Sequence, residues 1–190
     1  MQNQSPLPTI ETERLVLRPL ELVDAVRVHQ LVNDRAITDM MSRMSYPCPL
    51  EITQSWIFSQ RQNFESGRTL VLGIVLKETR EIIGAISLEN RDDNNRAELG
   101  YWIGKDYWGH GYCTEAARAI VTYGFRQMNL NRILVYCMAE NEDSKKVAKK
   151  IGMQYEGRLR QHVKKDGMYK DIDVLGVLSF EFLTQHLNRV

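Results

Sequence analysis

Apolar and polar residues change their period along this chain, and the changes separate strands from helices. From Glu13 to Leu20, Leu15 and Leu17 alternate with Val16 and Arg18, and Pro19 ends a first strand. Leu22 to Val32 shifts to helical spacing through Leu22, Val26, His29 or Gln30, and Leu31, with Asp24 in the first turn. Asp34 to Pro49 loses its period; its methionines, Tyr46 and two prolines read as a connection holding one helical turn. A second amphipathic helix follows over about Glu51 to Glu65, with Ile52, Trp56, Ile57, Gln60 and Phe64 on its apolar stripe and Gly67 closing it.

Leu70 to Leu76 is almost unbroken in apolar residues, as in a strand covered on both faces. A polar turn at Lys77 to Arg80 returns the chain through Ile82 to Leu88, and a second turn at Arg91 to Asn95 leads into Arg96 to Ile103. Three antiparallel strands in sequence are therefore expected. Ala117, Ile120, Val121, Gly124, Phe125 and Met128 then share one face of a long helix, closed by Asn129 and Asn131. In Arg132 to Met138, Ile133, Val135 and Cys137 alternate with Leu134, Tyr136 and Met138, a fifth strand. A strand, a crossover helix and a strand form a βαβ unit, so the fourth and fifth strands are expected to run parallel. Asn141 to Ser144 caps a short helix that ends at Gly152. Met153 to Val163 and Met168 to Ser179 make a closing hairpin, and Phe180 to Leu187 a last turn or two of helix.

Between the fourth strand and the long helix lies Trp108-Gly109-His110-Gly111-Tyr112-Cys113-Thr114. A strand, two glycines and a helix N-terminus can form a site for phosphate oxygens, because first-turn N–H groups lack intrahelical acceptors and the helix dipole favours an anion there; the alternative is a glycine turn that binds nothing. Glycines remove the side chains that would keep such an anion off the backbone.

Composition narrows the choice of partners. Lys and Arg total 25 against 24 Asp and Glu, a net charge of +1, which leaves no footprint for nucleic acid. No basic segment with an apolar run opens the chain and no apolar stretch reaches membrane-spanning length, so a cytoplasmic protein is expected. The three cysteines, Cys48, Cys113 and Cys137, are far apart and lack metal-ligand spacing, so no metal is expected. With no linker or repeat, residues 1–190 read as one domain, residues 1–10 being a loose tail.

The element order and four stretches resemble the GNAT N-acetyltransferase superfamily, and within it the Rim-type branch that acetylates ribosomal-protein N-termini. Those stretches are Thr12 to Arg18, Ala97 to Ile103, Trp108 to Ala116, and Asn141 through Gly152 to Gly157. The resemblance implies an α+β fold: a mixed sheet of about seven strands, antiparallel except for the fourth and fifth, flanked by about four helices. It implies acetyl-coenzyme A as co-substrate, with Gly109, His110, Gly111, Tyr112, Cys113 and Thr114 at the pyrophosphate. The backbone of Tyr101, Trp102 and Ile103 would pair with the pantetheine arm, and an N–H near Trp102 or Ile103 would stabilise an oxyanion. Asn141 would meet the cofactor's amides, or serve as the helix N-cap, or both. The family's Gln or Arg at the loop entrance is Asp106 here, a departure that removes one phosphate contact.

The implied reaction moves an acetyl group from a thioester to a neutral amine. At neutral pH a lysine must lose about 4 to 5 kcal/mol of protonation and an α-amino group only about 1 kcal/mol, which favours an N-terminal acceptor. Glu98 is the expected general base, on a face shared with Gly100 and Trp102; an ion pair with Arg96 or with a residue of the hairpin is the alternative. Ser144 is the expected acid for the departing thiolate, the alternative being a hydroxyl that satisfies helix N–H groups. Tyr136 and Tyr155 are reserve acids. His162, Lys164 and Lys165 would lie on a solvated turn or steer the acceptor, and Lys145, Lys146, Lys149 and Lys150 on a solvated face or near the 3′-phosphate. The chain would work as a monomer or homodimer on a protein N-terminus. Acetylation of a small amine (polyamine, antibiotic or metabolite) and a non-catalytic coenzyme A-binding module are the alternatives.

Overall fold

Strand β3 (Thr69–Leu76) carries the unbroken apolar run and lies inside an eight-stranded sheet, as a strand covered on both faces should. The computed structural model describes residues 7–187 apart from Arg43 and Asp93. The other strands are β1 (Ile10–Glu11), β2 (Leu15–Arg18), β4 (Ile82–Asp92), β5 (Arg96–Ile103), β6 (Arg132–Met138), β7 (Gln154–Lys165) and β8 (Met168–Leu178). Their spatial order is β1-β2-β3-β4-β5-β6-β8-β7, antiparallel throughout except for β5 against β6. The helices are α1 (Ala25–Val32), α2 (Arg35–Thr38), α3 (Leu50–Glu65), α4 (Tyr112–Arg126), α5 (Glu142–Lys150) and α6 (Ser179–Leu187).

Eight strands and six helices replace the expected seven and four. The additions are the two-residue β1 and the short α2 and α6, expected only as turns of helix. The loose tail was drawn too long: Ile10 pairs with Leu17, while residues 1–6 lie outside the described residues. Strand β4 runs through Asp92 into the predicted turn, of which Asp93 is not described. The helical stripe of α1 was also misread, and that of α3 at Ile52 alone, its Trp56, Ile57, Gln60 and Phe64 packing inward as expected. Leu22 and Val26 are 54% and 53% exposed and Ile52 is 58% exposed, whereas Ala25, Val28 and Val32 of α1 and Thr53, Ile57 and Gln60 of α3 face inward. The errors share a cause, since an exposed apolar residue beside a small buried one shifts an inferred stripe by one position.

Helix α4 lies on one face of β4 and β5, burying Ala116, Ala117, Ile120, Val121 and Phe125 against Leu88, Leu99 and Ile133. Full burial of each large aliphatic side chain contributes about 1.5–3 kcal/mol. Helices α1 and α3 cover the other face through Ala25, Val28 and Ile57, packed on Val75 and Ile82. At Gly84 an added Cβ would stand 2.3 Å from the Trp102 carbonyl oxygen, so only glycine admits β5 this close.

Candidate active site

Strands β5 and β6 pair through Arg96↔Arg132, Ala97↔Ile133 and Glu98↔Leu134, and then separate. Beyond that point β5 continues to Ile103 along β4, and β6 to Met138 along β8. The β6-side edge of Leu99 to Ile103 thus has no strand partner in the middle of a sheet, where backbone polar groups need one. Trp108 Nε1 donates to the Ile103 carbonyl at 2.7 Å, which caps the far end of this edge. An extended, amide-bearing chain can complete the ladder by adding as a strand.

Alternation along β5 sends neighbouring side chains to opposite faces at this opening. Trp102 packs into the α1/α3 layer, and Glu98 lies on that same side. Leu99, Tyr101 and Ile103 face α4. The Tyr101 hydroxyl lies 2.9 Å from the Ser144 carbonyl oxygen, to which it donates, and 3.0 Å from Ser144 Oγ. Ser144 Oγ is in turn 3.1 Å from Cys137 Sγ. Burial raises the Tyr101 phenol well above its usual range; the nearby Cys137 and Cys113 thiols add to this and the bond to Ser144 opposes it. Burial likewise lifts the Cys137 thiol, and it pushes Cys113 up to about 12. The α4 side of the opening therefore holds protonated donors, and the α1/α3 side a carboxylate. Asn141 Oδ1 accepts from the Ser144 N–H at 3.0 Å, so Asn141 is the α5 N-cap.

The anion loop begins with a 3-10 turn at Lys105–Tyr107. Gly109 and Gly111 have φ of +81° and +80°, left-handed values that favour glycine. Gly111 caps α4 without any side-chain hydrogen bond, so the N–H groups of Tyr112, Cys113 and Thr114 have no intrahelical acceptor. Two residues that sequence reasoning gave no role reach this loop. Arg14 donates from Nη1 to the His110 carbonyl at 3.0 Å and from Nε to Glu115 Oε2 at 2.7 Å, with its guanidinium 4.7 Å from the Tyr112 ring centroid. Glu115 Oε1 also accepts from the Thr12 hydroxyl at 2.7 Å and from the Arg14 N–H at 2.8 Å. Glu115 sits 101 residues from Arg14, a separation at which no local pattern links the two.

The α1/α3 side of the opening leads into a cleft of about 510 Å³ lined by Met40, Arg96, Glu98, Tyr136, His162 and Lys164, among others. His162 reaches it through an irregularity in β7 between Leu159 and Val163, where Gln161 takes φ +49°. Its ring stacks on Tyr136, with centroids 6.2 Å apart. Lys165 Nζ donates to the Met44 carbonyl, tying the hairpin to the connection before α3. His162 and Lys164 are thus cleft-lining residues, and Tyr155 is exposed on the hairpin. Lys145 is not part of a free basic run: it turns inward to Asp173 Oδ2 at 3.1 Å, and Arg158 Nε meets Asp173 Oδ1 at 2.7 Å. Among the described residues, no three His, Cys, Asp or Glu side chains gather as a metal site. Among the described residues, no helix is long and apolar enough to cross a membrane.

An unpartnered strand edge beside a loop of open N–H groups suits a ligand with an extended amide arm at one end and a diphosphate at the other. Comparison with known proteins agrees. The Acetyltransferase (GNAT) domain profile matches residues 14–154, and the chain belongs to this family. It is 35% identical over 179 residues to the uncharacterized N-acetyltransferase p20 of Bacillus licheniformis, covering 93% of this chain and 99% of that one. It is 30% identical to YdaF of Bacillus subtilis, provisionally named a ribosomal N-acetyltransferase, over 90% of this chain and 94% of that one. An acetyltransferase of the GNAT family from Bacillus anthracis superposes with a TM-score of 0.83 at 26% identity, covering 92% of this chain and 100% of that one. The chain is an enzyme that transfers an acetyl group from acetyl-coenzyme A to an amine.

Proposed function

We propose that the acceptor is the α-amino group of a protein N-terminus. The carrying observation is the charge of the cleft. Glu98 is the one carboxylate among its described lining residues, against the basic side chains of Arg96, His162 and Lys164. A polyamine would bring several positive charges toward Arg96 and Lys164, and like charges at close range are mutually unfavourable. A peptide N-terminus brings one amine, which needs only about 1 kcal/mol to reach its neutral form.

Bound acetyl-coenzyme A supplies an acetyl thioester. Gly109 to Thr114 hold its pyrophosphate through backbone N–H groups, the β5 edge at Tyr101, Trp102 and Ile103 receives its amide arm, and Asn141 anchors the α5 end of the opening. Glu98 accepts the proton of the attacking amine from the α1/α3 side, directly or through water. Ser144, backed by the Tyr101 hydroxyl, returns a proton to the departing sulfur from the opposite side. Base and acid then act from the two faces of one sheet, and neither has to move.

The test is acetylation of a panel of N-terminal peptides, polyamines and aminoglycosides, read by mass. Addition of one acetyl group to peptide α-amines but not to spermidine is the expected result. Acetylation of spermidine alone overturns the N-terminal reading and aligns the chain with Escherichia coli spermidine N(1)-acetyltransferase, to which it is 28% identical. Tight coenzyme A binding with no acetylated product points to a non-catalytic binding module.

A further inference from the structure

We propose that Arg14, from the β1–β2 turn, is a positioning residue for the donor's pyrophosphate: it neutralises Glu115 at the mouth of α4 and sets the His110–Gly111 peptide. The inference rests on reading residues 109–114 as the pyrophosphate site.

The first reason is charge. Glu115 lies in the first turn of α4, close to the N–H groups that would receive an anion. Its carboxylate is the wrong sign for that place. Burial pushes its pKa up, but bonds from Thr12 and Arg14 outweigh this and leave it below the usual range, so it is ionised at neutral pH. The turn before the loop carries Lys105 beside Asp106, so it adds no net charge to the site. Arg14 answers the carboxylate's charge with Nε and Nη2, each 2.7 Å from Glu115 Oε2.

The second reason is orientation. In a trans peptide the C=O and the following N–H point in opposite directions. Arg14 Nη1 holds the His110 carbonyl at 3.0 Å, so the Gly111 N–H is directed away from the β1–β2 turn. Gly111 at φ +80° has wide conformational freedom, and without this bond its peptide could rotate. The guanidinium also lies over the Tyr112 ring, which stacks on His110 at 5.6 Å. One side chain thereby braces three consecutive residues, His110 to Tyr112, from a turn 96 residues before His110.

Coenzyme A binding by calorimetry tests this without knowledge of the acceptor. Arg14→Ala is expected to weaken binding about 10- to 50-fold, and Arg14→Lys, which keeps charge without the forked geometry, about 3- to 10-fold. The double variant Arg14→Ala/Glu115→Ala should bind at least about 3-fold tighter than Arg14→Ala, because the stranded carboxylate is gone. A structural role alone would lower the melting temperature of the free protein and leave affinity unchanged. Gly111→Ala serves as the control for the site itself. If Gly111→Ala weakens binding while both Arg14 variants bind within 2-fold of wild type, the Arg14 proposal is overturned. If neither position matters, the pyrophosphate assignment of the loop falls instead. Should Arg14→Ala fail to fold, the Arg14→Lys affinity decides the matter.

Discussion

The two sides of the β5/β6 opening are built by different means. The donor side, which comprises the β5 edge, the glycine loop and the N-termini of α4 and α5, is made almost wholly of backbone. Its chemistry is a set of N–H groups released by Gly109 and Gly111 and by the early parting of two strands. The acceptor side is made of side chains brought from five places: the connection before α3, strand β5, strand β6, an irregular stretch of β7 and strand β8. Backbone sites tolerate sequence change and hold one ligand class, whereas side-chain sites can be re-lined residue by residue. This is a physical reason for one scaffold to keep its donor while relatives take different amines.

That contrast can be broken at measurable points. The largest effect is expected at Glu98, the cleft carboxylate at the last residue pair before β5 and β6 part. Glu98→Gln should lower kcat/KM at pH 7 by about 10²- to 10³-fold. The loss should shrink toward pH 9, where more of the amine is already neutral; a pH-independent deficit would remove Glu98 as the base. Gly111→Ala comes next. A Cβ in the left-handed region costs about 1–2 kcal/mol, so the acetyl-coenzyme A KM should rise about 10-fold while the acceptor KM stays put. A rise in both would mean that the two sides are not separable.

Tyr101→Phe and Ser144→Ala should each lower kcat about 3- to 10-fold, and together by little more than the worse single change, because they share one proton path. Fully multiplicative losses would show that they act independently. The smallest effect belongs to His162→Ala, which should raise the acceptor KM about 3-fold with the donor KM unchanged, as for one stacked aromatic in an open cleft. A change in donor KM alone would move His162 to the other side of the opening.

Much of the donor side was legible in advance. The glycine pair between a strand and a helix, the capping Asn141 and the βαβ order are local patterns, and local patterns survive in a linear reading. The acceptor side was harder. His162 read as part of a solvated turn because an irregularity in β7, invisible in alternation, turns it toward Tyr136. Lys145 read as one cation in a basic run because nothing in its neighbourhood announces Asp173, 28 residues later.

By itself the sequence determined where most strands and helices lie, that β5 and β6 run parallel, and that a glycine loop opens α4. These follow from periodicity, turn chemistry and the handedness of crossovers, which act over a few residues or a single motif. Tertiary structure alone decided that β5 and β6 part after three residue pairs. It also decided that Tyr101 reaches Ser144 across the opening, that Arg14 braces a loop from the far end of the sheet, and which side chains line the cleft. Each of these depends on how distant segments meet, and a meeting of side chains more than a turn apart leaves no mark on the spacing of either segment.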